Sequence, residues 1–109
     1  MLKLDTVIGS GEKAASAVIL AQPGALAGIL MATDGTNAVT LDIYDKATAA
    51  TGAKLIATTV VPTSATNRSW SLSFAHPKRC ENGIYVVVTP AGGGTCAYVV
   101  DYIPGGELQ

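Results

Sequence analysis

Charge and catalytic side chains are what this sequence has least of. Only 14% of its 109 residues are Asp, Glu, Lys or Arg, where soluble domains usually carry about 25%. Histidine occurs once, at His76. Acid–base or nucleophilic catalysis needs a base and an orienting partner on a rigid frame. His76 precedes Pro77 in a polar stretch with no partner motif beside it, so it reads as a loop histidine. The chain is expected not to be an enzyme and to carry no cofactor or metal.

Cysteine is nearly as scarce. Cys80 and Cys96 are too few for a disulfide framework and wrongly spaced for a zinc knuckle. Each reads as a small buried hydrophobe, with a single bridge between neighbouring strands left open as the alternative. The cations Lys3, Lys13, Lys46, Lys54, Arg68, Lys78 and Arg79 are scattered and the net charge is −1, which argues against nucleic acid as the main ligand. The one adjacent pair, Lys78-Arg79, stands near Glu81 and reads as a solvated loop.

No apolar run is long enough to span a membrane. The stretch from Ala17 to Ala32 is cut by Gln22-Pro23-Gly24 into pieces well short of the roughly 18–20 residues a helix would need. The opening Met1-Leu2-Lys3-Leu4-Asp5 sets an acid where a signal peptide carries cations. A soluble chain, not exported by that route, is expected.

What the chain has in quantity is apolar surface. Apolar residues make up 49%, more than one domain of this length buries inside itself, so part of that surface is expected to face a partner, most simply other copies of the chain.

Period-two alternation dominates the pattern. Ser69-Trp70-Ser71-Leu72-Ser73-Phe74 alternates serines with large apolar residues, which predicts a strand with one dry and one wet face. Val39, Leu41 and Ile43 alternate with Thr40, Asp42 and Tyr44 after the turn Asp34-Gly35-Thr36-Asn37. Val39, Leu41, Ile43, Trp70, Leu72 and Phe74 are thus the expected core. Ser16 to Ala21 and Ala25 to Ala32 read as short, fully buried strands, Lys46 to Ala53 as a loop, and Lys54 to Val61 as a strand ending at Pro62. Asn82-Gly83 signals a turn into Ile84 to Thr89, and Pro90 to Gly94 a flexible reversal into Thr95 to Tyr102. The last two runs read as a hairpin. These segments predict a single all-β domain, an antiparallel β-sandwich or jelly-roll-like fold of about seven strands. Residues 1–15 are expected to form a partly flexible N-terminal arm, 16–103 the domain and 104–109 a C-terminal tail.

Three further patterns carry little chemistry. Asp42 and Asp45 are too few oxygens for a calcium loop and read as solvated strand-end carboxylates. Gly9-Ser10-Gly11-Glu12-Lys13 lacks the spacing of a phosphate loop and reads as a flexible segment. Asn67-Arg68-Ser69 matches a glycosylation sequon, which has meaning only in a secreted eukaryotic chain. Tyr44, Tyr85, Tyr98 and Tyr102 are the candidate interface or ligand-facing residues, since exposed aromatics could also stack on sugar rings in a carbohydrate-binding module.

The order Gly24-Ala25-Leu26-Ala27-Gly28-Ile29, Asp34 to Asp45 ending in Tyr44-Asp45, Thr51-Gly52-Ala53-Lys54-Leu55-Ile56 and Arg79-Cys80-Glu81-Asn82-Gly83-Ile84-Tyr85-Val86 resembles small β-sandwich structural proteins of tailed bacteriophages. The resemblance covers roughly residues 16 to 102 and its motifs are structural, so no functional residue transfers. It implies a virion component assembled in the host cytoplasm, of the capsid decoration or cement type, or alternatively a neck, tail or head-fibre protein. The partners implied are the major capsid protein, or another virion protein, and other copies of the chain, with a homotrimer expected. Nucleic acid and membrane are not expected partners.

Overall fold

A computed structural model describes residues 7–105. Eight strands form: β1 Ile8–Gly9, β2 Ala17–Leu20, β3 Gly24–Thr33, β4 Val39–Tyr44, β5 Thr59–Val61, β6 Ser69–Cys80, β7 Ile84–Pro90 and β8 Cys96–Pro104, with a 3-10 turn at Ala91–Gly93. They make two four-stranded antiparallel sheets in the orders β1-β8-β3-β6 and β2-β7-β4-β5. The first strand pairs with the eighth, the second with the seventh, the third with the sixth and the fourth with the fifth. This is a long antiparallel hairpin rolled up on itself, the connectivity of a jelly roll.

Alternation decides which side chains meet between the sheets. Val39, Leu41 and Ile43 of β4 are fully buried, whereas Thr40, Asp42 and Tyr44 between them are half-exposed. Leu26, Ile29 and Met31 of β3, Ile84 and Val86 of β7, and Cys96, Tyr98 and Val100 of β8 complete the same dry layer. Trp70, Leu72 and Phe74 pack against it only in part, because β6 lies at a sheet edge, and the serines between them are exposed. The expected core residues are thus the inward ones, fully buried on β4 and half-buried on β6.

The apolar stretch from Ala17 to Ala32 resolves into β2 and β3, which belong to opposite sheets. The same holds for β7 and β8, so the expected hairpin is not one: β7 pairs with β2 and β4, β8 with β1 and β3, and Pro90 to Gly94 crosses between sheets. Local turn residues mark where a chain reverses but not which sheet receives it. The strand expected from Lys54 is shorter than its β-rich composition suggested, because only Thr59–Val61 pairs continuously with β4. Lys54 makes a single bridge to Tyr44. Lys78 and Arg79 are not in a loop but on β6, opposite Leu26 and Ala25.

Residues 1–6 of the expected arm lie outside the described residues, as do residues 106–109 of the tail. From Ile8 to Lys13 the chain runs along β8, with the amides of Ser10 and Lys13 donating to the carbonyls of Val100 and Tyr98 at 2.8 Å each. The sandwich thus includes part of that segment, and Gly9 to Lys13 is a sheet margin. Ile8–Gly9 was too short to show alternation, which accounts for the eighth strand.

On β6 the register jumps between Ser73, opposite Gly28, and Lys78, opposite Leu26, so residues 74–77 face Ala27 alone. This bulge accommodates Pro77, which has no amide to give a ladder. The Lys78 ammonium sits 5.5 Å from the Phe74 ring centroid, clamping its two ends.

Two aspartates fasten the crossing loops. Asp34 accepts the amides of Asn37 and Thr36, both at 2.8 Å, the Asn37 side-chain amide at 3.0 Å and the Thr95 amide at 3.1 Å, so the β3–β4 turn holds the start of β8. These donors, the Asn37 amide foremost, keep its carboxyl well below the usual range. Asp45 accepts the amides of Glu81, Asn82 and Gly83 at 3.1, 2.8 and 3.3 Å, tying the end of β4 to the β6–β7 turn. Burial alone would raise its pKa, but the three amides outweigh it and the net direction is down. Gly83 follows at φ 154°, where an added Cβ would stand 2.3 Å from the Leu20 carbonyl oxygen, so no other residue fits.

Both carboxyls titrate below their unfolded value of about 3.9. Their stabilisation is present above that pH and is lost as the pH falls through the folded values. The urea midpoint is expected to hold between pH 7 and pH 5 and to fall below about pH 4. Asp45→Ala removes the acceptor of three turn amides, two of them open to water, and should lower stability at pH 7 by about 0.5–2 kcal/mol, as loss of a capping carboxylate does, and flatten the acid limb of that profile.

Candidate interaction surface

The outward faces of the two sheets differ in chemistry. On the β1-β8-β3-β6 sheet the register sets Ser69, Ala32 and Ala97 in one line across the strands, Ser71, Leu30 and Val99 in the next, and Ser73, Gly28, Asp101 and Gly9 in a third. Asp101 is the one charge among them. Solvated faces of antiparallel sheets are normally polar along every strand, yet here Leu30 is 55% exposed at a shallow apolar depression lined by Glu12, Leu30, Ala32, Ala97, Tyr98 and Val99. Gly and Ala lose no rotamer freedom on burial, and few polar groups would need new partners. A flat surface of this kind costs little to cover with another protein.

The other sheet shows a mixed outer face. Val60, Thr40 and Thr89 form one line, Asp42 and Val87 the next, and Tyr44, Tyr85 and Val18 the third. Its middle is polar. The Lys54 ammonium lies 3.0 Å from the Asp42 carboxylate and donates to the Thr58 hydroxyl at 2.6 Å, while that hydroxyl donates to Asp42. The Thr58 bond, helped by Lys54, lowers the Asp42 pKa, and Asp42 raises that of Lys54. Exposed pairs of this kind stabilise by about 0–1 kcal/mol at most, so the cluster orients side chains more than it holds the fold.

The four tyrosines divide between these settings. Tyr44 and Tyr85 are cross-strand neighbours, both half-buried, with the Lys54 ammonium 5.6 Å from the Tyr44 ring centroid. Tyr102 is half-buried against the core. Tyr98, expected to face a partner or ligand, is a core residue: 1% exposed, its hydroxyl donating to the Ala15 carbonyl at 2.7 Å and its pKa pushed up to about 12 by burial. The reason is position. β8 is an interior strand, and its residues 96, 98 and 100 point into the dry layer.

Conversely, no alternation in the sequence marks Leu30 and Val99 as outward-facing. The run Ile29-Leu30-Met31 is apolar at every position and hides its own alternation. The available signal was the small residues Gly28, Ala32 and Ala97 around them, since small side chains alternating with large ones mark a close approach.

The remaining candidates stay apart. Asp42 pairs with Lys54 while Asp45 accepts backbone amides, and no group of three or more His, Cys, Asp or Glu converges among the described residues. His76 is exposed within the β6 bulge. Ser10 does not address a phosphate, for its hydroxyl accepts the Val100 amide at 3.0 Å. Comparison with protein-family models, with curated proteins and with solved structures gave no match.

Cys80 and Cys96 are both buried and unbridged, and burial pushes each thiol pKa up. The thiolate is the reactive form, so neither should react with a thiol-exchange reagent in the native protein. Both should react stoichiometrically in denaturant, and a native-state burst of even one equivalent would contradict their placement.

Proposed function

We propose that this chain is a structural protein that acts by covering the outer face of its β1-β8-β3-β6 sheet with other protein subunits, as a capsid decoration or cement protein on a phage head. The observation that carries the reading is that face itself, small and apolar around Leu30 and Val99, with Asp101 the one charge in its three central lines and Glu12 at the margin of the depression. Its location on a capsid rests on the resemblance of the segments around Gly24, Tyr44-Asp45 and Asn82-Gly83 to phage structural proteins. A decoration protein binds many equivalent sites, and a surface that needs little desolvation suits that task. Leu30 and its apolar neighbours would contribute about 25 cal/mol per Å² covered.

The carbohydrate-binding reading draws less support. It requires open aromatic faces, and of the pair Tyr44 and Tyr85 the first has Lys54 over its ring. A glycan array is expected to show no saturable binding.

The direct test adds the purified chain to capsids stripped of accessory proteins. Hundreds of copies per particle are expected, and Leu30→Lys should abolish binding while shifting folding stability by no more than about 0.5 kcal/mol, as surface changes do. A dozen copies or fewer would place the chain in a neck or tail instead. Binding unaffected by Leu30→Lys would remove this face from the mechanism.

A further inference from the structure

The margin of the same sheet carries a second feature. β6 is an edge strand, and edge strands present unpaired amides and carbonyls that proteins normally shield with proline, charge or a bulge. On β6 all three protections fall in one half: Pro77, Lys78, Arg79 and the bulge at residues 74–77. The other half, Ser69-Trp70-Ser71-Leu72-Ser73, has none of them.

The ladder shows which groups this half exposes. The Thr33 amide donates to the Arg68 carbonyl at 2.7 Å, and the register continues as Ala32 with Ser69, Met31 with Trp70, Leu30 with Ser71, and Ile29 with Leu72. In an antiparallel ladder, directly opposed residues alternate between those that exchange hydrogen bonds and those whose amides and carbonyls point away. Arg68, Trp70 and Leu72 therefore bond towards β3, and the amides and carbonyls of Ser69, Ser71 and Ser73 point to the free edge. Among the described residues, no strand lies beyond it.

We propose that the Ser69–Ser73 edge pairs with the same segment of a second copy about a two-fold axis through Ser71, so that two four-stranded sheets become one continuous sheet. The segment is self-complementary. In this register Ser69 faces Ser73 of the second copy and Ser71 faces Ser71, so every outward amide meets an outward carbonyl. Trp70 and Leu72 alternate with them and meet across the axis as the closely spaced, non-hydrogen-bonded pairs, where side chains interact most. Both are half-buried in one chain, and the contact covers what the sandwich leaves open. No charge falls within the five paired residues, so nothing repels the copy. An edge-to-edge contact of this kind is isologous and closed. It predicts a dimer where the phage resemblance implies a trimer, and it does not depend on a place in a virion.

Light scattering on the purified chain at tens of micromolar tests it. The expected mass is twice the 11.0 kDa of one chain, and it should persist in Ser71→Ala, which keeps the backbone groups. Ser71→Pro removes an outward amide and no bond to β3, so it should give a folded monomer by circular dichroism. Hydrogen exchange on the unaltered chain supplies a readout without any variant: the amides of Ser69, Ser71 and Ser73 should slow at least tenfold as concentration rises. A monomeric or trimeric wild type, a dimeric Ser71→Pro protein, or fast exchange of those three amides at every concentration would overturn the proposal.

Discussion

The dry layer between the two sheets is the constraint on which everything else depends. Leu26, Ile29 and Met31 of β3, with Tyr98 and Val100 of β8 beside them, face Val39, Leu41 and Ile43 of β4 and Ile84 and Val86 of β7 across that layer, and each fully buried side chain of this kind contributes about 1.5–3 kcal/mol. A chain this short can build only one such layer. It fills it by rolling a single hairpin so that strands far apart in sequence pair, Ile8 with Tyr102 and Ala17 with Val86. The rolled topology makes almost every connection a crossing between sheets. Asp34 and Asp45 matter for that reason: each carboxylate binds backbone amides of a segment distant in sequence, and each fixes a crossing that no strand ladder would hold.

That arrangement also sets which surfaces remain available. The inward faces take most of the large apolar residues. The outward face of the β2-β7-β4-β5 sheet is occupied in its centre by the Asp42, Lys54 and Thr58 cluster. The outward face of the other sheet is left with serine, alanine and glycine around Leu30 and Val99, and its edge strand is guarded over only half its length. Charge on that face is limited to Asp101 in its lines and Glu12 beside the Leu30 depression. The proposed contacts, face to partner and edge to copy, are the two ways such a sheet can be covered.

Alternation made the strands legible, and long-range pairing stayed hidden. Val39, Leu41 and Ile43 and the serine-flanked Trp70, Leu72 and Phe74 announced their faces because polar and apolar residues take turns there. Leu30 gave no sign through alternation, since Ile29 and Met31 beside it are equally apolar and only the burial of alternate neighbours separates them. Tyr98 looked like a surface aromatic because its exposure depends on β8 lying between β1 and β3, a tertiary fact. The turn at Asn82-Gly83 was readable, but the same residues would close a hairpin in another protein. Here Asp45, thirty-seven residues before Asn82, holds the turn across the gap between sheets.

If the chain works by being covered, the face around Leu30 is the one a partner takes. Hydroxyl-radical footprinting of side chains, read by mass spectrometry on the free chain and on its assembled or particle-bound form, addresses that most directly. Leu30 and Val99 should lose reactivity on assembly while Val18 and Val60, exposed on the opposite sheet, keep theirs. Protection of Val18 and Val60 with Leu30 still reactive would contradict the account and move the functional surface to the other side of the molecule.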